Sequence, residues 1–502
     1  MFQQNSGVVY GARALNGTER HSTSAYLEFK QMKPIARKSI ARDKGNLMGR
    51  TLARSGHLAS LRRKVMVLLA AGLVTGVSAD TKLARLLKGT SVTPALSGIQ
   101  VAILERGKIT ESYAYGFAQR QDKGIEPLRI DHNIRVASIS KLLVAVGVMR
   151  LVDQGQVALE QDVSTYLGWE LRNPLFPDQA VTLRRLLDHT SSVRDGDRYF
   201  IAAGEGRLQD FFDPNSKYWD AGAHWSDQIR EIPGSYFEYA NLNFGLIAEV
   251  IERVSGQRFD QFMEDEVIAP LGMTGSFNPC TLPRDQRGAG FRKRNADGEW
   301  NPEGSWYVQV DGENVSCFYG MAALEAPDQF LTRYSLGSNA SLFSPQGGYR
   351  GNVIDLSALL KLLSNNGQVD GAPYLTSKSV SKMLKPSWSL NARRDNGVSA
   401  GEAEPGSPFD GLMTSYGLSV HRVDPRAWGF SDAPELLVGH LGEAYGVLSH
   451  ALMDPQTGNG IATIITGTAN DPAAFPGHSP LYRVEESVIQ WWLNRRADNV
   501  TR

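Results

Sequence analysis

At 502 residues the chain is longer than one compact core usually holds, so two domains or one large composite domain are expected. Hydrophobic residues make up 42% and charged residues 21%, the composition of an ordinary soluble globular protein. Net charge is zero, but of 53 basic and 53 acidic residues the first 64 positions hold 13 and 3, leaving 40 and 50 to the rest. A basic head thus precedes an acidic body, and an acidic body argues against nucleic acid as a partner, because phosphate binding needs a basic face.

The head explains itself as an export signal. Leu61-Arg62-Arg63-Lys64 is a positive cluster, Val65 to Val77 an apolar run, and Val77-Ser78-Ala79 a small-residue cleavage site before Asp80. The run is shorter than the roughly 20 apolar residues of a membrane span. Residues 61–79 are therefore expected to be a signal peptide, with a mature start near Asp80. The protein is then periplasmic or secreted and meets a membrane only during export. A buried helix or an uncleaved anchor is the alternative. Residues 1–60 form an extension without an apolar stripe, either disordered or preceding the true start, for which Met48 is a more natural place. No Cys follows the run, so it offers no lipid-attachment site.

Cys280 and Cys317 are the only cysteines. Both fall in the exported part, where a disulfide can form, and two free buried thiols fit the sequence equally well. Neither CxxC nor HExxH occurs, so no metal site is indicated.

In chain order, residues 98–117 read as two strands around a turn at Glu105-Arg106-Gly107-Lys108. A helix is expected over 138–154, with apolar Leu142, Leu143, Val146, Met149, Leu151 and Val152. Further helices are expected at 182–188, 241–255, 259–269, 355–365 and 377–384. Tyr416 to Val423 reads as one strand. Val447–Met453 and Gly460–Thr466 read as a hairpin around Asp454-Pro455-Gln456-Thr457-Gly458, and 480–496 as a last helix. Residues 280–340 and 388–411 resist assignment. Strands at both ends and helices between them imply an α/β (α+β) fold: an antiparallel sheet built from both chain ends, flanked by helices, with a mostly helical insertion.

Three short motifs carry chemistry. Ser138-Ile139-Ser140-Lys141 opens the first long helix, and i, i+3 spacing sets Ser138 and Lys141 on one face. A serine hydroxyl is a poor nucleophile until a base takes its proton, and a lysine can be that base only when desolvation or neighbouring charge lowers its pKa. Alone this is weak: S-x-x-K is expected about once or twice by chance in such a chain, and it recurs at Ser379-Val380-Ser381-Lys382. Tyr239-Ala240-Asn241 opens another helix, where the phenol can shed its proton beside an ammonium and the amide can hold a substrate carbonyl. Taken by itself, an N-cap by Asn241 with a packed tyrosine is the better explanation. His440-Leu441-Gly442 ends the apolar Leu436-Leu437-Val438-Gly439, where a glycine lets substrate lie along the strand; a plain strand end is the alternative.

Together and in this order, the three motifs resemble those of the serine β-lactamase and penicillin-binding protein superfamily, S-x-x-K, Y-x-N and K-T-G or H-x-G, in its class C-like branch. That branch also holds DD-peptidases, D-aminopeptidases and carboxylesterases. Leu186-Leu187-Asp188-His189-Thr190-Ser191-Ser192 is similar to the branch's LLTHTSGL, and PGSYFEYANLNFGLIAEVIERVSG and PQGGYRGNVIDLSALLKLL are similar to later stretches. The resemblance covers about residues 95–490, the expected hydrolase domain. Its α/β part would be about 95–137 and 405–497 and its helical part about 138–404.

The resemblance implies Ser138 as the acylated nucleophile, with Lys141 and Tyr239 sharing base and proton-shuttle work. It implies Asn241, His440 and Gly442 as substrate-binding residues, with the N–H groups of Ser138 and Glu443 forming an oxyanion hole. It implies no metal and no cofactor. Motif order dismisses Ser379–Lys382, and a polar loop setting dismisses a nucleophile elbow at Gly397-Val398-Ser399-Ala400-Gly401. The departure lies at His440-Leu441-Gly442, where β-lactamases carry Lys-Thr-Gly. An imidazole is mostly neutral at neutral pH, so weak or no β-lactam hydrolysis is expected. A small-molecule ester, amide or peptide is the expected substrate, as for an esterase or a D-amino-acid or cell-wall peptidase. The alternative is a non-catalytic penicillin-recognising or cell-wall-binding protein of the same fold.

Overall fold

The structure, a computed structural model, describes residues 81–90, 93–121, 124–312, 315–318, 331, 333–398, 411–468 and 479–500. The extension 1–60, the stretch 61–79 expected as a leader, and Ser399 lie outside these residues.

The strands in chain order are β1 (Gly98–Glu105), β2 (Lys108–Gln121), β3 (Gly124–Pro127), β4 (Ile134–Arg135), β5 (Gly290–Arg294), β6 (Ser305–Val310), β7 (Arg350–Gly351), β8 (Gln368–Val369), β9 (Ala372–Pro373), β10 (Trp388–Ser389), β11 (Ser415–Tyr416), β12 (His421–Val423), β13 (Leu437–Ala444), β14 (Val447–Met453) and β15 (Gly460–Thr466). The α-helices are α1 (Thr81–Leu86), α2 (Ser140–Asp153), α3 (Ser164–Leu167), α4 (Leu183–Leu187), α5 (Leu242–Ser255), α6 (Phe259–Met263), α7 (Val353–Ser364), α8 (Ser377–Leu384) and α9 (Arg483–Val500).

One nine-stranded sheet runs β10-β11-β12-β13-β14-β15-β1-β2-β3. Every neighbouring pair in it is antiparallel. The late strand β15 pairs with β1, setting Ile99 opposite Ile465 and Val101 opposite Thr463. The mixed fold with a sheet closed from both chain ends is the one expected from sequence.

Side-chain alternation gives the sheet two covered faces. Ile99, Val101, Ile103, Leu441, Leu448 and Leu452 pack with Val484, Val488 and Trp492 of α9. Ala102, Leu104, Val438, Val447 and Ala451 pack toward α2, α5 and α7. Helix α2 is buried on nearly every position from Ser140 to Leu151, the pattern of a helix enclosed on all sides rather than an amphipathic surface helix. Helix α5 ends at Gly256, whose φ of +69° suits a residue without a Cβ. The Asn352 side chain caps α7 by accepting from the N–H groups of Ile354 and Asp355.

Several stretches differ from expectation. Ser138 sits not in the long helix but in a 3-10 turn, Ala137–Ile139, just before it. The stretch 416–423 is two short strands folded into a hairpin, with Tyr416 paired to His421. Gly417 at its start lies against the Met383 carbonyl, where a Cβ would approach to 2.1 Å, so a side chain is excluded there. Within 280–340, β5 and β6 form a separate hairpin.

Cys280 and Cys317 form a disulfide, with Cα atoms 5.2 Å apart, closing a 37-residue separation that contains this hairpin. Beside it, the Phe318 ring packs edge-on against Phe343 at 5.3 Å. A cross-link of this span restricts the unfolded chain. The Cys280→Ser/Cys317→Ser variant should lose about 2–4 kcal/mol of stability in equilibrium denaturation.

Candidate active site

Ser138 is presented by a strained turn. Ala137, buried directly before it, has φ +48°, a left-handed conformation unusual for a residue with a Cβ. Buried hydrogen bonds hold the turn in place. Ser140 Oγ donates to the Ala137 carbonyl at 2.7 Å and accepts from the Tyr349 N–H at 3.0 Å. Ser449 Oγ of β14 donates to the Val136 carbonyl at 2.7 Å. Ser140 is thus a structural clamp inside the Ser-Lys motif.

Lys141 has no exposed surface. Its Nζ lies 3.0 Å from Ser138 Oγ, 2.8 Å from Asn241 Oδ1 and 2.7 Å from the Gln346 carbonyl oxygen. Burial lowers its pKa from the ordinary lysine range to about 7, opposed by the nearby Asp195 carboxylate. A neutral amine has two N–H bonds and one lone pair. The Asn241 and Gln346 oxygens can only accept, so they take the two N–H groups. The lone pair is left for the Ser138 hydroxyl, the orientation in which the amine can receive that proton.

Burial raises the Tyr239 phenol above its ordinary range, an effect that the neighbouring Ser138 hydroxyl opposes. Its ring lies 4.8 Å from Lys141 Nζ and stacks on His189 at 4.2 Å. Of the two candidate bases, the amine is therefore the one shifted toward its basic form, and the phenol keeps its proton to donate. Asn241 holds Lys141 with its amide oxygen and donates through Nδ2 to Asp195 Oδ2 at 2.9 Å. Both ends of the amide are engaged within the site. Asn241 is placed to orient the lysine, beyond the substrate-holding role expected from sequence.

Strand β13 runs beside the Ser138 turn. Its pairing with β12 ends at Gly439. A Cβ on Gly442 would stand 2.5 Å from the Val136 oxygen, 2.5 Å from Ser449 Oγ and 3.0 Å from Ser138 N. Only a glycine permits this approach. Leu441 joins the α9 face of the sheet, so alternation sends the neighbouring Glu443 side chain to that face, where Tyr482 donates to its carboxylate. What Glu443 can bring to Ser138 is its backbone.

His440 is placed differently from the expectation. Its imidazole is fully buried, not open to a substrate carboxylate. Nδ1 lies 2.6 Å from the Leu441 carbonyl, which can only accept, so Nδ1 carries the proton and Nε2 accepts from the Tyr416 hydroxyl at 3.1 Å. The His421 ring lies 4.1 Å away. Burial, with His421 and Lys141 nearby, pushes the His440 pKa well down, and His421 itself falls to about 3. These rings stay neutral at physiological pH.

Ser379, by contrast, donates to Asp153 Oδ1 at 2.6 Å and sits under the Thr376 cap of α8, tying that helix to the end of α2. Gln346, Asp195, His189, Tyr416 and His421 belong to the site's surroundings and were not singled out for a role from sequence. Gln346 and His189 do fall inside the PQGGYRG and LLDHTSS stretches that carry the resemblance. Among the described residues no group of three or more His, Cys, Asp or Glu side chains is arranged to hold a metal ion.

A sheet closed from both chain ends, with a half-buried Ser138 and Tyr239 around a buried Lys141, defines the β-lactamase/transpeptidase-like class of serine hydrolase folds. The sequence profile described as Beta-lactamase matches residues 83–478, and the chain belongs to that family. It is 29% identical over 182 residues to Penicillin-binding protein 4* of Bacillus subtilis, covering 34% of this chain and 36% of that protein. It is also 29% identical over 154 residues to the D-alanyl-D-alanine-carboxypeptidase/endopeptidase AmpH of Escherichia coli, covering 31% and 38%. The aligned part is therefore little more than a third of these relatives' length. The D-amino acid amidase of Ochrobactrum anthropi SV3 superposes with a TM-score of 0.53 at 21% identity, over 81% of this chain and 95% of the amidase.

Gly442→Ala tests the contact between β13 and the Ser138 turn. The added methyl must push strand and turn apart, which should cut the rate of Ser138 acylation about a hundredfold with the fold retained. Stopped-flow acylation and thermal melts on the same preparation measure both.

Proposed function

We propose that the protein is an exported serine hydrolase that cleaves an ester or amide through a Ser138 acyl-enzyme. The observation that carries this reading is the buried Lys141 Nζ, 2.8 and 2.7 Å from two acceptor oxygens and 3.0 Å from Ser138 Oγ, an arrangement that leaves the lone pair of a neutral amine for the hydroxyl. In the acylation step the Ser138 proton passes to Lys141 Nζ while Oγ bonds the substrate carbonyl carbon. The N–H groups of Ser138 and Glu443 receive the developing oxyanion. As the tetrahedral adduct collapses, the carbon–heteroatom bond breaks and the Tyr239 phenol protonates the leaving group. The Lys141 proton then restores the phenol. Water repeats the sequence to release the acid.

The neutral, buried His440 offers no cation where a substrate carboxylate would seek one. This favours an esterase, amidase or D-amino-acid peptidase on substrates without a carboxylate at that place, and disfavours efficient β-lactam turnover. The relatives named as a penicillin-binding protein and a D-alanyl-D-alanine carboxypeptidase support cleavage of an amide or ester in general, and the fold shared with a D-amino acid amidase is compatible with a substrate that lacks the carboxylate. The Cys280–Cys317 bond supports an oxidising compartment and so export.

The test is labelling with a fluorophosphonate alongside hydrolysis of p-nitrophenyl esters, D-amino acid amides and nitrocefin. Ser138→Ala should abolish labelling and lower hydrolysis roughly a thousandfold or more, while Ser379→Ala and Ser399→Ala keep both. Labelling that survives in Ser138→Ala would overturn the reading. A labelled enzyme that never turns over would make it a binder.

Because the amine must be unprotonated to act, kcat/KM for a non-ionising ester should fall as pH drops through about 7, the value burial gives Lys141. A pH–rate profile from 5 to 9 measures this. A limb at the carboxylate range instead would remove Lys141 as the base.

A further inference from the structure

We propose that Asp195 is a positioning residue of this site: its carboxylate locks the Asn241 amide with the oxygen toward Lys141, and it serves as the counter-charge for that amine. The inference rests on the Ser138–Lys141 reading and extends it to a residue that does not touch the substrate.

The geometry is specific. Asp195 Oδ1 accepts from the Leu242 N–H at 2.8 Å, and Oδ2 accepts from Asn241 Nδ2 at 2.9 Å. Both oxygens are therefore used as acceptors, which suits the ionised form; burial raises the Asp195 pKa, and the Leu242 N–H, the Asn241 amide and Lys141 oppose that rise. An asparagine amide can face either way. Since a carboxylate cannot donate, the NH2 of Asn241 must face Asp195, and its oxygen must face Lys141 Nζ at 2.8 Å. Asp195 thus decides which end of the amide the lysine meets. The same contact ties the start of α5 to the loop beyond His189, so the Tyr239-Ala240-Asn241 segment is pinned there. The His189 Nδ1 accepts from the Ala240 N–H at 3.1 Å beside it.

The charges around Lys141 single out Asp195. Tyr239 and Asn241 face the amine from the start of α5, His189 from the turn after α4, His421 from β12 and His440 from β13. Burial lowers all three imidazoles and raises the phenol, so each is neutral near pH 7. Asp195 is the group whose charge acts on Lys141, and it favours the ammonium. Burial alone would lower the amine further, and Asp195 keeps it near physiological pH, where a base works best.

In Asp195→Asn, one oxygen can still accept from Leu242, but an NH2 group would then meet the Asn241 NH2. The Asn241 amide would turn, present its own donor to Lys141 and release the lone pair from its alignment. Losing both an acceptor and an anion lowers the proton affinity of the amine. The expected result is an acidic limb displaced downward by about one pH unit, with plateau kcat down about tenfold and KM nearly unchanged. Two readouts serve: the pH dependence of fluorophosphonate labelling of Ser138, and p-nitrophenyl ester hydrolysis. The Asp195→Asn/Asn241→Asp double variant returns a carboxylate, now directly beside Lys141, and should carry the limb above its wild-type position. A purely structural Asp195 would lower the melting temperature and the labelled fraction without moving the limb. An unmoved or raised limb in Asp195→Asn, or an unmoved limb in the double variant, overturns the proposal. If Ser138→Ala is inert and the Asp195→Asn limb is unmoved, only the Asp195 assignment falls. If Ser138→Ala still labels, the Ser138 reading falls first.

Discussion

A lysine amine removed from water and surrounded by acceptors is the constraint on which this site depends. In water the group is an ammonium and cannot take a proton. Bringing it to about 7 by burial corresponds to on the order of 5 kcal/mol of preference shifted toward the neutral amine. That shift has to come from the fold, because nothing in the Ser-x-x-Lys segment alone keeps water off Nζ. Helix α2 supplies much of it by being enclosed on all sides. Bare burial would leave the amine without direction. The Asn241 and Gln346 oxygens supply direction, and both come from far along the chain, 100 and 205 residues away.

This distribution explains why the cluster sits where three substructures meet. The Ser138 turn is braced by Ser449 of β14 and by Tyr349 just before β7. Asn241 opens α5, and Gln346 lies in the turn leading to β7. Gly442 lets β13 touch the turn itself. The strained φ at Ala137 is held by these neighbours, as local strain at a functional site must be. Loosening any one of them disturbs the nucleophile and its base together, since Ser138 and Lys141 stand three residues apart across the junction of the 3-10 turn and α2.

Ser138, Lys141 and Tyr239 were legible because their chemistry rests on side chains at short, fixed spacings. The sheet was legible because apolar strands at both chain ends need one another to bury both faces. Gln346 was not legible as a partner, since it acts through a backbone oxygen that any residue could supply. Asp195 was not, since a lone aspartate in a loop carries no pattern, and its meaning comes only from the amide it faces. His440 was misjudged for a related reason. Reading 416–423 as one strand hid the hairpin that pairs Tyr416 with His421 and His421 with Gly439. That hairpin closes over His440 and gives its ring a hydroxyl partner, so the imidazole is a buried structural acceptor and not a group turned to solvent.

The imidazole at 440 then makes physical sense beside Lys141. Two ammonium groups in one dry space would depress each other, and a second cation would compete for the oxygens that align the first. A neutral imidazole avoids both effects. Its Nδ1 proton is held by the Leu441 carbonyl, and its Nε2 accepts from Tyr416, so it has no donor left to direct at Asn241 or Gln346. The proton affinity of the base is then governed by one anion acting against burial. A site arranged this way can deprotonate serine near neutral pH without a second cation, at the expense of the charge that would recognise an anionic substrate.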